Sequence, residues 1–144
     1  NFIVWHLKEF SLRNNMSVEA IAEIKKKIDF YNQMRNDYAE RIDETLVQIL
    51  TPKLPGTLKA PLNTESLGSI MDRLSVLTLK IYHMQQIAKS GGPDADQANS
   101  RLNILTNKKY ALLESTRCLF VDFLYGAKRP KVYRHYKTAG KLSI

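Results

Sequence analysis

The side chains best placed for chemistry fall on two long apolar-periodic segments. Asn32, Arg35 and Asn36 stand in the middle of the first, and Arg73, Lys80 and His83 share one stripe of the second, with Asp72 just beside it. Face to face, Arg35, Arg73, Lys80 and His83 would line a cationic cleft suited to phosphate or carboxylate, because guanidinium forks and ammonium groups bind such anions. Arg35 lies on the apolar seam itself. A guanidinium there is tolerated only when paired, so Asp29, Asp72 or Glu65 should meet it, or else an anionic ligand should. The competing expectation is a polar network that sets helix register, with the second stripe an ordinary solvated face. If the chain is an enzyme, His83 is the candidate general acid or base, with Asp72 or Glu65 as the second carboxyl group.

Other chemistries lack their residues. A carboxylate-bridged dimetal bundle needs Glu-x-x-His on inward faces, and no such tetrapeptide occurs, so no metal site is expected. His6 and Glu9 are three residues apart and read as a hydrogen-bonded pair. There is no glycine-rich phosphate loop or nucleophile elbow, and no cofactor is implied. The single cysteine, Cys118, sits in an apolar run and is expected to be a buried thiol.

These residues need long helices to position them. Phe2 to Arg13 is predicted as a short helix. Ser17 then reads as an N-cap for a helix reaching about Leu50, with Ile21, Ile24, Ile28, Tyr31, Arg35, Tyr38, Ile42, Thr45 and Ile49 as its seam. Pro52, Pro55 and Gly56 break the chain, and Asn63 or Thr64 is expected to cap the next helix, from Glu65 to Lys89. After Ser90-Gly91-Gly92-Pro93, Asp94 and Gln97 have the form of a capping box, and Gly126 closes the last long helix. The fold class is all-α: an up-down bundle of three long helices with a short N-terminal helix and a basic C-terminal tail, forming one domain over residues 1–144.

The formal net charge is +8, and no acidic residue follows Asp122. The body is nearly balanced, whereas Lys128, Arg129, Lys131, Arg134, Lys137 and Lys141 make the tail basic. Arg134 lies in Val132-Tyr133-Arg134-His135-Tyr136-Lys137, an aromatic and basic mixture that could grip phosphate or fold back over the bundle end, and the second is preferred. With no basic face on the body, nucleic acid is not the expected partner. No apolar stretch approaches a membrane span, and Asn1-Phe2-Ile3-Val4-Trp5-His6 does not resemble a signal peptide, so a cytoplasmic location is expected. The lack of an initiator Met leads us to expect further residues upstream.

Four stretches carry a family resemblance: Tyr31 to Asp37, Pro61 to Ile70, Asp72-Arg73-Leu74-Ser75 with Leu79 to His83, and Val132-Tyr133-Arg134. In that order they resemble the bacterial family catalogued as domain of unknown function 4254, across nearly the whole chain. The resemblance implies a setting beside glycosyltransferases of lipopolysaccharide or envelope-glycan assembly. Its inner motifs contain Asn32, Arg35, Asn36, Thr64, Glu65, Asp72, Arg73, Lys80 and His83. The leading expectation is an accessory protein that binds a partner glycosyltransferase or a phosphorylated sugar. The alternatives are an enzyme acting on a phosphorylated sugar or nucleotide-type anion through His83 and a carboxylate, and a self-associating bundle forming a homo-oligomer.

Overall fold

The computed structural model describes residues 1–13, 16–53, 60–132 and 134. Among these residues the chain forms α1 (Phe2–Arg13), α2 (Val18–Leu50), a short 3₁₀ turn (Thr51–Lys53), α3 (Leu67–Lys89) and α4 (Ala95–Leu124). The fold is all-α, as expected. The tail residues Tyr133 and 135–144 lie outside the described part, as do Pro55 and Gly56.

α3 packs against both α2 and α4, and α1 packs on α2. Residue pairings give the directions. Arg35 of α2 meets Asp72, while Asp43 meets Gly68, so α2 and α3 are antiparallel. Asn1 lies beside Asp72 and Trp5 beside His83, so side chains at the start of the chain reach α3 while α1 itself packs on α2. The main apolar cluster gathers Leu67 and Ile70 of α3 with Leu119 and Phe123 of α4, and Leu46, Leu50, Leu74 and Leu112 pack around it.

The helix ends explain the boundaries. Ser17 caps α2 by accepting from the Ala20 N–H. α3 starts later than its apolar pattern implies: Ser66, not Asn63 or Thr64, is the N-cap, in extended backbone and accepting from the Ser69 N–H. Residues 61–63 are occupied elsewhere. The Asn63 N–H donates to the Arg129 carbonyl and the Arg129 N–H to the Pro61 carbonyl, which ties the approach to α3 to the exit from α4. The capping box at Asp94 is not formed; its φ of −91° and ψ of 0° leave the extended geometry a cap needs, and it makes no side-chain cap bond. Gly126, at φ +68°, does close α4. Its N–H bonds the Phe123 carbonyl and the Ala127 N–H bonds the Asp122 carbonyl, the paired closure of a left-handed C-terminal turn.

The buried stripe of α2 differs from the seven-residue seam. Tyr38, Ile49 and Ile21 are exposed. Tyr31 and Ile42 of that seam are half-buried, and a run turned inward or half-buried comprises Ile24, Ile28, Asn32, Arg35, Ala39, Asp43, Leu46 and Leu50. These recur every eleven residues, as Ile24–Arg35–Leu46, Ile28–Ala39–Leu50 and Asn32–Asp43. Eleven residues in three turns stay closer to the straight α-helical period than seven in two, so such a stripe drifts less around the helix than a seven-residue seam. The polar residues of the stripe are therefore part of the α2–α3 contact. Cys118 is exposed and not the buried thiol its apolar run implies, because it points about 100° away from the buried Leu119 around α4.

Candidate functional site

The polar contact between α2 and α3 has two levels. At the lower one, α3 begins against α2. Asp43, only 2% exposed, accepts a hydrogen bond from the Gly68 N–H at 2.6 Å. Gly68 occupies the first turn of α3, where backbone donors lack partners within the helix and the dipole favours an anion. Asp43 thus acts as an acceptor supplied by a neighbouring helix. Helix–helix approach at this level needs glycine, since a Cβ on Gly68 would overlap the Ala39 backbone.

One turn further along α3, Arg35 and Asp72 form a two-point fork. Arg35 donates from Nε to Asp72 Oδ1 at 3.0 Å and from Nη2 to Oδ2 at 2.6 Å, while Nη1 donates to Asn32 Oδ1 at 3.1 Å. Asp72 also accepts from the Asn1 side-chain amide at 3.1 Å, and the same amide reaches Ser75 Oγ. The network therefore ties α1, α2 and α3 together. Burial pushes the Asp72 carboxyl upward, but the hydrogen bonds from Arg35 and Asn1 and the Arg35 charge outweigh it and hold the group below the usual carboxylate range. The side chains of both partners are about 30% exposed, so the ion pair is half-buried and Arg35 is not the buried seam cation its spacing implies.

Beside this fork lies an open cleft of about 290 Å³, lined by Arg35, Asn36, Glu65, Ser69, Asp72 and Arg73 among others. Arg73 is paired as well: its Nη2 lies 2.5 Å from Glu65 Oε1. Glu65 precedes the helix cap instead of sitting in the first turn, and from there it reaches forward to Arg73. Thr64 is exposed on the rim of a neighbouring cleft shared with Glu65, Ser66, Ser69 and Arg73. The structure thus brings together Asn32, Arg35, Asn36, Glu65, Asp72 and Arg73, with Thr64 at the edge.

Lys80, His83 and Arg134 are not in this group. Seven residues of helix separate Arg73 from Lys80 and ten separate it from His83, roughly 10 and 15 Å along the axis. Lys80 is exposed, and among the described residues no carboxylate pairs with it. His83 stacks on Trp5, ring centroids 4.7 Å apart and nearly parallel, with His6 and Tyr82 edge-on to it. Its Nε2 is buried without a hydrogen-bond partner. His6 Nδ1 lies 3.8 Å from Glu9 Oε2, an ion-pair distance and too long for the hydrogen bond its spacing implies. Arg134 pairs with Glu44 at 3.2 Å on the surface of α2, some nine residues beyond Arg35. Among the described residues no group of three or more His, Cys, Asp and Glu side chains is placed to hold a metal ion. No helix there is long and apolar enough to cross a membrane.

Residue spacing had not marked Gly68, Ser66, Trp5 or Asn1 as parts of these contacts. Helical spacing puts Asp43 in a stripe with Asp29, Asn32 and Asn36 beside the expected seam, but its partner, a backbone N–H, leaves no trace in residue type.

A family model described as "Protein of unknown function (DUF4254)" matches residues 1–132. No curated protein and no solved structure matches the chain.

Proposed function

The chain belongs to the DUF4254 family, whose description names no reaction, and from that premise we propose that it is a cytoplasmic accessory protein of bacterial envelope-glycan synthesis, acting by binding. One observation carries this reading: the acid–base candidates are engaged in structural contacts. Asp72 is gripped at two points by Arg35, Glu65 is held by Arg73, and His83 is stacked on Trp5 well away from both carboxylates. A general acid or base must reach the proton it moves. His83 and the two carboxylates do not converge on a common reacting atom. The envelope-glycan setting rests on the family resemblance, which implies a place beside glycosyltransferases.

The ligand that fits best is a phosphorylated sugar. Arg73 is its natural entry point, because its side chain is 58% exposed and a phosphoryl oxygen can take the place of the Glu65 carboxylate on the guanidinium fork. Asn36 and Ser69 line the same cleft and can complete the hydrogen bonding.

Thermal-shift titrations with nucleotide sugars, sugar phosphates and inorganic phosphate test the reading, run on the wild type and Arg73→Ala. A rise in Tm of several degrees with a phosphorylated sugar, absent in the variant, is expected. The same samples should be assayed for turnover. Transfer or hydrolysis of a sugar nucleotide by the purified chain, lost in His83→Gln, would replace the accessory reading with the enzymatic one.

A further inference from the structure

α4 has a second apolar stripe that no described helix covers. Its inward face is spent on Ala98, Leu102, Leu105, Leu112, Leu119 and Phe123. Next to that face, spread over an arc of about 100°, are Tyr110, Leu113, Phe120, Val121 and Leu124, which are 65%, 41%, 37%, 45% and 59% exposed. With Arg117 among them, Tyr110, Leu113, Arg117, Phe120 and Leu124 recur at intervals of three, four, three and four, the seam of a two-helix coiled coil. The five apolar side chains expose on the order of 500 Å², near the upper end of the largest single patch, roughly 300–600 Å², that a monomer leaves and often uses.

We propose that this face is covered by a second copy of the chain, α4 against α4 in antiparallel orientation about a two-fold axis at the level of Ser115 along the helix. Three features favour a second copy over a different protein. First, the stripe is self-complementary in shape. With the axis at that level, Tyr110 stands level with Phe120 of the other copy, Arg117 with Leu113 and Leu124 with Thr106, so each large ring meets a ring and the central layers occur twice by symmetry. Second, it is self-complementary in charge. Arg117 then lies one residue from Glu114 of the other copy, and the pair occurs twice; within one copy Arg117 and Glu114 are 4.0 Å apart and both largely exposed, a weak contact free to exchange. Third, the area suits it. Added to Arg117, Glu114 and the rim, the apolar stripe approaches the roughly 800 Å² per partner of a stable interface. The cleft beside Arg73 lies on the α2–α3 side, so self-association and ligand binding are separable.

Sedimentation of the intact chain over a range of concentrations tests this. A dimer is expected for the wild type. Tyr110→Glu should yield a monomer with an unchanged far-ultraviolet spectrum, since Tyr110 is mostly exposed. Arg117→Glu and Glu114→Arg should each weaken the dimer at least tenfold, and the two combined should restore it, because the swap rebuilds both intersubunit pairs. A wild-type chain that stays monomeric up to about 100 μM, where an interface of this size should be occupied, overturns the proposal. So does a dimer indifferent to Tyr110→Glu and to the charge swap, which would place the interface elsewhere. Neither result bears on Arg73-dependent ligand binding, which is read in the Tyr110→Glu monomer.

Discussion

Gly68 crosses Ala39 so closely that a methyl group on Gly68 would overlap the Ala39 carbonyl oxygen. The helix backbones, and not their side chains, are in contact at this point. Everything else in the α2–α3 contact follows from that approach: it lets the buried Asp43 reach the Gly68 N–H and sets Arg35 level with Asp72 one turn along.

Gly68→Ala should therefore reverse the usual effect of that substitution. Alanine in a helix ordinarily gains about 1 kcal/mol over glycine. Here the clash is with backbone, which cannot move aside as a flexible side chain can, so the variant should lose about 2–4 kcal/mol as the helices separate. Urea denaturation measures it. A midpoint equal to or above wild type would mean that α2 and α3 do not approach this closely.

Asp43 gives a second test of the same junction. Removing the carboxylate in Asp43→Ala leaves a buried N–H at the start of α3 without its acceptor and should cost about 1–3 kcal/mol. Asp43→Asn keeps an oxygen acceptor and should recover part of that loss. Hydrogen exchange at the Gly68 amide is the direct readout: rapid in Asp43→Ala, slower in Asp43→Asn. Equal exchange in all three proteins would remove Asp43 from the role of acceptor.

How much of this was legible depended on whether spacing or depth decided each residue. The strict three-four spacing of Leu67, Ile70, Leu74, Leu77, Ile81 and Met84 made α3 unmistakable, and Arg35 was legible as a cation needing a carboxylate. The start of α3 was not, because Thr64, Glu65 and Ser66 are all acceptable near a helix start, and the choice fell to the backbone bonds between residues 61–63 and Arg129. Spacing also grouped Arg73 with Lys80 and His83, since one stripe of a helix looks like one site in sequence. It is not one in space. The axial rise carries His83 roughly 15 Å from Arg73, into the level where α1 supplies Trp5. On α2, the apolar residues Tyr38 and Ile49 suggested a seven-residue seam, but both are exposed, and the contact with α3 runs through the eleven-residue repeat that carries Asn32 and Asp43.

Acid stability should report the Asp72 fork. The folded-state pKa of Asp72 is lowered from 3.8, so on acidification the native chain takes up this proton later than the unfolded chain. The resulting stabilisation is fully present above the unfolded value and is lost as pH falls through the lower folded value. Wild type should exceed Asp72→Asn in Tm by a constant margin from neutral pH down to about pH 5, and the margin should shrink below pH 4. Since the pair is half-buried, Arg35→Met should cost about 1–2 kcal/mol at neutral pH, between the surface and buried limits. A margin that stays constant to the lowest pH would show that Asp72 does not hold a charge-dependent bond.

His83 decides between a structural and a chemical use of the α1–α3 contact. Its ring stacks on Trp5, yet its Nε2 is buried without a partner. A buried polar atom lacking a hydrogen bond is a net cost, whereas the stacked ring contributes favourably. His83→Phe keeps a ring in the stack and removes the orphaned nitrogen, so it should match or exceed the wild-type Tm. His83→Ala loses the ring and should fall by about 1–3 kcal/mol, with Trp5 fluorescence shifting to the red as water reaches the indole. A His83→Phe protein that is as unstable as His83→Ala would mean that the imidazole nitrogens carry the contact, and would return His83 to the list of groups that can handle a proton.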